Sequence, residues 1–431
     1  MSSTTVARGS NLALTQFSVA VTAQLIRAPG NLNALTGPAP KQSDAEANMK
    51  QQTSADMPFV RITDLSTDPK GDRVTVDAFN IVGGKPIMGD RNAEGKGKRL
   101  SSSSFDMQID LATFNVDAGG KMSRQRTRHE LRRLARAAIV GYFPRMVWQR
   151  ALTQLAGARG FQTGSSWDIP LASDEDFVEI MVNPVRAPTF NRHLVIDGGN
   201  LVRGGLQLQS VDTTDKWNLS AMDNLALYLE SLDTKLPPPR CTGDDQAYDS
   251  PLKGVLYLPP GCYNDFITDA SAGNNLRAFQ AAIEQRQKWA KGTALFMGEC
   301  GIWRGILVKK MEHTIAFNAS SSFQYVPVAN RLTGVEVAGT VAAGLSTTHR
   351  VERAVLLGAQ ALARAEGTSN SGIQAAVIEN AYNAGRNFEY LGEFMAGEAK
   401  FRFSFPNENG DPEPTDNGIF VIDSVSRIVG N

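Results

Sequence analysis

The sequence predicts an α+β fold: long strands combined with one long helix and a set of shorter helices. Three observations carry this. Residues 105–111, Phe-Asp-Met-Gln-Ile-Asp-Leu, alternate apolar and polar without a break, which places Phe105, Met107, Ile109 and Leu111 on one face of a strand. From Ser123 to Gly157 apolar residues recur at spacings of three and four, at Leu131, Leu134, Ala135, Ala138, Ile139, Tyr142, Met146, Trp148, Leu152 and Leu155. Elsewhere strand-like text (73–81, 400–405, 418–423) is interleaved with helical text (219–232, 266–289) rather than repeating at a fixed period.

The chain opens on a long segment, residues 1–55, with little core of its own. A modest apolar stretch from Leu12 to Ile26 is followed by Pro29, Gly30, Gly37, Pro38 and Pro40, and then by a polar run. Two readings stay open: a disordered linker, or an arm that orders on a neighbouring chain. The 73–81 strand, Arg-Val-Thr-Val-Asp-Ala-Phe-Asn-Ile, is rich in β-branched residues. Between it and the 105–111 strand lies a segment dominated by glycine and charge, with Lys85, Arg91, Lys96, Lys98 and Arg99. A structureless loop of that length is unusual inside a compact domain, so the segment reads as the tip of a projecting hairpin.

The long helix that follows is expected to start at Ser123, stop at Gly157 and kink at Pro144. Its first half is basic, with Arg124, Arg128 and Arg132 among the cations. This is either a solvated helix face or a face that meets acidic neighbours or DNA. Further on, Leu219–Leu232 is helical in period, Gly254–Leu258 is a buried-strand candidate ended by Pro259-Pro260, and 266–289 is helical in character. Residues 351–365 read as a small-residue helix, or as a strand leading into one.

Composition narrows the function. Lys plus Arg and Asp plus Glu both number 44, so there is no basic excess of the kind a dedicated nucleic-acid binder shows. A 42% hydrophobic content supports a sizeable core. The polar breaks at Thr15, Gln16, Ser18, Thr22 and Gln24 keep the N-terminal apolar stretch from spanning a bilayer, and no secretory signal precedes it, so synthesis in the cytoplasm is expected. Cys241, Cys262 and Cys300 fit no zinc spacing and read as reduced thiols.

No catalytic pattern holds. The run from Gly89 to Gly97 has five residues between its first two glycines and lacks the Ser or Thr a phosphate loop needs. His129, His193, His313 and His349 are scattered and read as structural or surface residues. Asp174, Glu175 and Asp176 form an acidic cluster after Pro170, which fits a solvated loop or helix start better than an acid–base or calcium site. No cofactor or metal is implied.

Four motifs, met in order, carry a resemblance. Val60-Arg61-Ile62-Thr63-Asp64-Leu65 precedes Lys70-Gly71-Asp72-Arg73-Val74 at the start of the hairpin. Met88-Gly89-Asp90-Arg91-Asn92-Ala93-Glu94-Gly95 is similar to a Val-Gly-Asp-Arg-Thr-Leu-Glu-Gly loop tip. Ala187-Pro188-Thr189-Phe190-Asn191-Arg192-His193 and Arg353-Ala354-Val355-Leu356-Leu357-Gly358-Ala359-Gln360-Ala361-Leu362 complete the set. With them the chain resembles the major capsid proteins of tailed bacteriophages with the HK-97 type fold, and more narrowly the podovirus, N-four-like capsid family. The segments 237–250 and 335–346 have no counterpart in that pattern.

The resemblance implies a division into an N-terminal arm (1–55), a first part of a peripheral domain (56–72), an extended hairpin loop (73–111), a spine helix with more of the peripheral domain (112–215), an axial domain (216–400) and a peripheral return (401–431). It implies a non-enzymatic subunit that assembles with itself as pentamers and hexamers into an icosahedral shell around double-stranded DNA. Scaffolding, portal and decoration proteins are the further partners, and the virion is the location. Lys85, Arg91, Lys96, Lys98 and Arg99 become candidates for contact between subunits, and Arg124, Arg128 and Arg132 for an inner, DNA-facing surface. The rival classes are another virion or tail structural protein, or a hydrolase using the acidic cluster at 174–176.

Overall fold

In a computed structural model, the described residues are 35–36, 57–62, 73–79, 87–88, 94, 102–120, 131–163, 167–232, 235–239, 252–271, 300–345, 348–367, 375–382, 385, 387–407 and 410–428. Strands are numbered in chain order. One mixed sheet is centred on β16 (Asn387–Lys400). β4 (Asp110–Gly120) runs antiparallel along one side of it, and β14 (Leu362–Glu366) and β15 (Ala375–Tyr382) along the other. β1 (Phe59–Ile62) adds to β14 in parallel.

The larger sheet has the order β6-β5-β19-β13-β7-β9-β8, with β10 attached to β13. Its members are β5 (His193–Asp197), β6 (Asn200–Arg203), β7 (Gly254–Leu258), β8 (Cys300–Trp303), β9 (Ile306–Lys310), β10 (Ala316–Phe317), β13 (His349–Leu357) and β19 (Ile419–Arg427). Three two-stranded ladders complete the strands: β2 (Arg73–Phe79) with β3 (Ser102–Gln108), β11 (Ser322–Tyr325) with β12 (Val337–Thr340), and β17 (Arg402–Pro406) with β18 (Pro412–Asp416).

The long helix α1 (Leu131–Ala156) joins the two sheets. Its N-terminal half lies on the smaller sheet. Ile139 and Phe143 press on β16 at Gly392, where any Cβ would stand 2.6 Å from both side chains, so only glycine lets the helix come this close. Phe114 stacks on Tyr142 at 3.8 Å between centroids. The opposite face of this half is solvated, and Leu134 and Ala138 lie on it, outside the apolar stripe expected of them. The C-terminal half is buried all round because it also runs beneath the larger sheet, with Trp148 against Tyr257. Pro144 lies within the helix and Gly157 ends it at φ +64°, as the spacing predicts. The expected start at Ser123 lies outside the described residues.

The larger sheet is covered on both faces, which is why its strands read as continuous apolar runs. Val255 and Tyr257 face α1, while Leu256 and Leu258 face two helices on the far side, α3 (Leu219–Ser231) and α4 (Pro260–Ser271). Asn218 caps α3 by accepting a hydrogen bond from the Ala221 amide at 2.7 Å. β7 has the predicted bounds, but only Pro259 is a stop. Pro260 occupies the first position of α4, where its missing N–H costs nothing. Helix α4 begins earlier than 266, and residues 272–299 lie outside the described set. A short helix, α2 (Phe177–Met181), anchors itself through its two buried end residues.

Three expectations need correction. Residues 351–365 form no helix: β13 and β14 flank a turn at Gly358–Ala361, with Gln360 at φ +54°. The alternation through 105–111 does not hold to its end. Phe105, Met107 and Ile109 share a packed face, but Asp110 and Leu111 are both exposed, and from Ala112 onward the other parity turns inward. The flip falls where the strand leaves β2 and joins β16.

The span 216–400 is not a separate unit. β14 to β16 belong to the sheet that carries α1, while β19, beyond residue 400, pairs along its whole length with β13. The sheets divide at the 358–361 turn, because pairing between distant strands, not chain order, decides membership. Within the span expected to be an arm, Leu35 is fully buried in the core and Thr36 bridges to Phe59.

Candidate assembly interface

The projecting hairpin is built from its root outward. β2 and β3 pair from Arg73↔Gln108 to Phe79↔Ser102. Val74, Val76, Phe105 and Met107 turn to an aromatic row that begins at Phe401 and continues on β17, with Phe105 5.5 Å from Phe401 and 6.5 Å from Phe403 between centroids. The other face carries Arg73, Thr75, Asp77, Ser104 and Asp106 in solvent. Such alternation fits a ladder with one face on a core and one in water.

A buried asparagine fixes the root. Asn183 Oδ1 accepts from the Gln108 amide at 2.8 Å, and its Nδ2 donates to the Gln108 and Glu398 carbonyls at 2.9 and 3.2 Å. Gln154, in the last turn of α1, donates to the Asn183 carbonyl at 2.8 Å. Gly397 allows this crossing, since a Cβ there would lie 2.0 Å from the Gln108 carbonyl oxygen. Beyond the ladder, Ile87 and Met88 are exposed, Met88 at 68%. The contact candidates Lys85, Arg91, Lys96, Lys98 and Arg99 lie outside the described residues, as do Arg124, Arg128 and the side chain of Arg132.

Behind this surface, buried ion pairs tie the sheets to α1. Asp423 on β19 receives two hydrogen bonds from Arg353 on β13, Nε to Oδ1 and Nη2 to Oδ2, each 2.7 Å, and neither side chain is exposed. His193 on β5 meets the same carboxylate at 2.7 Å, and Arg353 Nη1 donates to the carbonyl of Ala156, the last residue of α1. One carboxylate thus links three strands to a helix end. Burial pushes Asp423 up, but Arg353 and the His193 hydrogen bond outweigh it and hold the acid at about 2. Burial drives His193 down, and its bond to Asp423 only partly opposes that.

A second centre sits at Asp416 on β18. It accepts from Lys400 Nζ at 2.9 Å, Arg402 Nε at 2.7 Å and the Thr189 amide at 3.1 Å. Asn191 Nδ2 donates to Thr415 Oγ1 at 2.7 Å. Burial pushes Asp416 up, but the two cations outweigh it and leave the acid at about 2. For Lys400 burial wins over the attraction of the shared carboxylate, and its ammonium falls to about 8. A third pair, Arg150 to Glu398 at 3.0 Å, joins α1 to β16.

The 187–193 and 353–362 motifs therefore converge on one buried junction. Sequence reasoning gave no role to Asp423, Asp416, Lys400, Arg402 or Glu398. The available signal was a lone charge within an apolar run, as in Ile419-Phe-Val-Ile-Asp423, because a fully buried strand holds a charge only with a partner. Cys262 is a buried free thiol. Asp174, Glu175 and Asp176 lie exposed in the turn before α2. No group of three or more metal-ligating side chains occurs among the described residues.

These pairs make the subunit acid-sensitive. Asp416 and Asp423 bind protons more weakly folded than unfolded, so their stabilisation is present above an unfolded pKa near 4 and lost as pH falls toward 2. His193, lowered in the fold, acts in the same direction below its ordinary value near 6.5. Each aspartate contributes on the order of 2 kcal/mol. Urea unfolding of the isolated subunit is expected to show a midpoint that declines from pH 7 to pH 5 and falls more steeply toward pH 3. Lowered Lys400 gives a separate rise in stability between pH 8 and the unfolded lysine value near 10.4.

The model of the phage capsid protein family matches residues 5–428 of the chain. No curated protein matches it significantly. Among solved structures, the capsid of Ralstonia phage GP4 superposes with a TM-score of 0.67 at 22% identity, covering 88% of this chain and 90% of that one. The cyanophage Pam1 capsid asymmetric unit gives 0.56 at 15% identity, over 92% and 96%. The capsid of Helicobacter pylori bacteriophage KHP30 gives 0.54 at 12% identity, over 93% and 97%. The architecture is the HK-97 type fold.

Proposed function

The chain belongs to the phage capsid protein family, and from that premise we propose that it is the major shell subunit, assembling as pentamers and hexamers into an icosahedral container for double-stranded DNA. The observation that carries this reading is the hairpin. Its root is held by an aromatic row and a buried asparagine, while Ile87 and Met88 beyond the ladder expose apolar surface. A closed shell needs such elements, since each copy must bury area against several others.

In this reading the sheet around β16, with α1 as the spine, forms the peripheral domain. The larger sheet with α3 and α4 forms the axial domain around the capsomer centre. The hairpin loop reaches over a neighbour, where Lys85, Arg91, Lys96, Lys98 and Arg99 pair with acidic groups. The 1–55 arm, apart from Leu35 and Thr36 on its own core, clasps an adjacent copy. Arg124, Arg128 and Arg132 look inward toward DNA, and scaffolding, portal and decoration proteins complete the particle in the virion after synthesis in the host cytoplasm.

The purified full-length chain, followed by light scattering and negative-stain electron microscopy across salt and protein concentration, is expected to give closed shells or rings of five and six. Open tubes would favour a tail component. A small oligomer that never assembles, even with its scaffold, would overturn the reading.

A further inference from the structure

Between α3, the 190–192 turn and the β17–β18 ladder lies a cavity of about 260 Å³ whose walls include Arg192, Arg203, Tyr228, Arg331 and Glu413. Arg203 and Arg331 both act on the one carboxylate, Glu413, while the Arg192 guanidinium lies 4.4 Å over the Phe420 ring. Arg203 sits 5.1 Å over the Tyr228 ring. The Tyr228 hydroxyl is buried and has no hydrogen-bond partner among the described residues, and burial raises its pKa, so it keeps its proton and can donate. A polar cavity with a positive excess and an unused donor fits an acidic guest.

Val328, Leu332 and Val335 are exposed on the segment that carries Arg331. That segment is held by hydrogen bonds from the Gly334 amide to Asn330 and from Asn330 Nδ2 to Val335.

The complementary surface is on the same chain. Asp174, Glu175, Asp176 and Glu179 are all exposed, and no basic side chain pairs with them among the described residues. The turn is pinned beneath by buried Phe177 and Met181, and beside it Val178 is 72% exposed. It is a charged tip with an apolar shoulder, and its charge is opposite to the excess of arginine in the cavity wall.

We propose that the 174–179 turn of one copy docks into the Arg203–Arg331 cavity of the next. This rests on the shell reading above and names a contact within it. The two patches differ, so the contact is head-to-tail, and repeating it generates a ring when the rotation closes. A chain with equal numbers of acidic and basic residues can match itself in this way without other molecules.

The test is a charge swap in the full chain. Arg331→Glu, and separately the pair Glu175→Arg with Asp176→Arg, are expected to lower the yield of shells or rings about tenfold or more, with unchanged circular dichroism. Combining them is expected to restore most of the yield. Wild-type yield from the separate variants, or no recovery in the combination, would overturn the contact. Should a charge variant misfold, a chain with Glu175→Cys and Arg331→Cys decides instead: mild oxidation of assembled particles is expected to give covalent rings absent from either single cysteine variant, and their absence overturns the contact. If the wild-type chain forms neither shells nor rings, the shell reading itself fails; if it forms them and the swaps are silent, only this contact does.

Discussion

Replacing Asp423 with alanine is expected to destabilise the isolated subunit by about 3–5 kcal/mol, because it leaves Arg353 buried and charged with no carboxylate. The guanidinium keeps one hydrogen bond, to the Ala156 carbonyl, and its contact over Phe317, and it cannot reach water. Loss of the carboxylate also frees His193 and removes what ties β5, β13 and β19 to the end of α1. The measurement is the urea midpoint beside that of Arg145→Ala. The latter removes a partly exposed pair with Asp168 and is expected to cost less than about 1 kcal/mol. Equal effects from the two variants would show that burial of the junction carries no special weight. Replacing Arg353 and Asp423 together by apolar residues of similar volume is expected to recover part of the loss, since the penalty of Asp423→Ala lies in stranding one charge.

Deleting residues 84–100 is expected to leave a folded subunit that no longer closes shells. The ladder ends at Phe79 and resumes at Ser102, so the deletion leaves residues 80–83 and 101 as a connection, a length ordinary hairpins use. The packing of β2 and β3 on Phe401 and Phe403 lies below the cut and is retained. What is lost is Ile87, Met88 and the five cations expected to meet a neighbour. Losing even about 3 kcal/mol at each contact is a factor of about a hundred in association, and a shell repeats the contact many times. Sedimentation should show wild-type unfolding behaviour with shells absent. Normal shells from the deletion would sink the proposed role of the loop.

Much of the fold is legible from local pattern. β7 lies between Lys253 and Pro259 with its predicted bounds, since a short apolar run with hard stops has few alternatives. The course of α1 follows from its spacing, and its end from Gly157. What local pattern could not give is membership of sheets. β13 and β19 pair in antiparallel from His349↔Arg427 to Leu357↔Ile419, with Arg353 and Asp423, 70 residues apart, meeting across them. The 351–365 segment is ambiguous because small residues such as Ala354, Ala363 and Ala365 suit either a helix or a close-packed strand, and the choice is made by β19 and β16 alongside. The parity change at 110–111 is likewise invisible locally, because it arises where one strand changes partners.

The interface was legible only in part. The hairpin announces itself by glycine and charge with little apolar content, whereas the junction behind it depends on single charges whose partners lie far along the chain. His193 and Arg353 entered the sequence reading only as members of motifs, and the structure gives both a common partner in Asp423.

The most direct test of the account is an electron cryomicroscopy reconstruction of particles assembled from the wild-type chain. The account predicts a closed icosahedral shell of five- and six-membered capsomers, with the larger sheet toward each capsomer axis and the hairpin of each copy crossing onto a neighbour. A helical tube, or a discrete small oligomer whose hairpins touch only their own subunit, would contradict it.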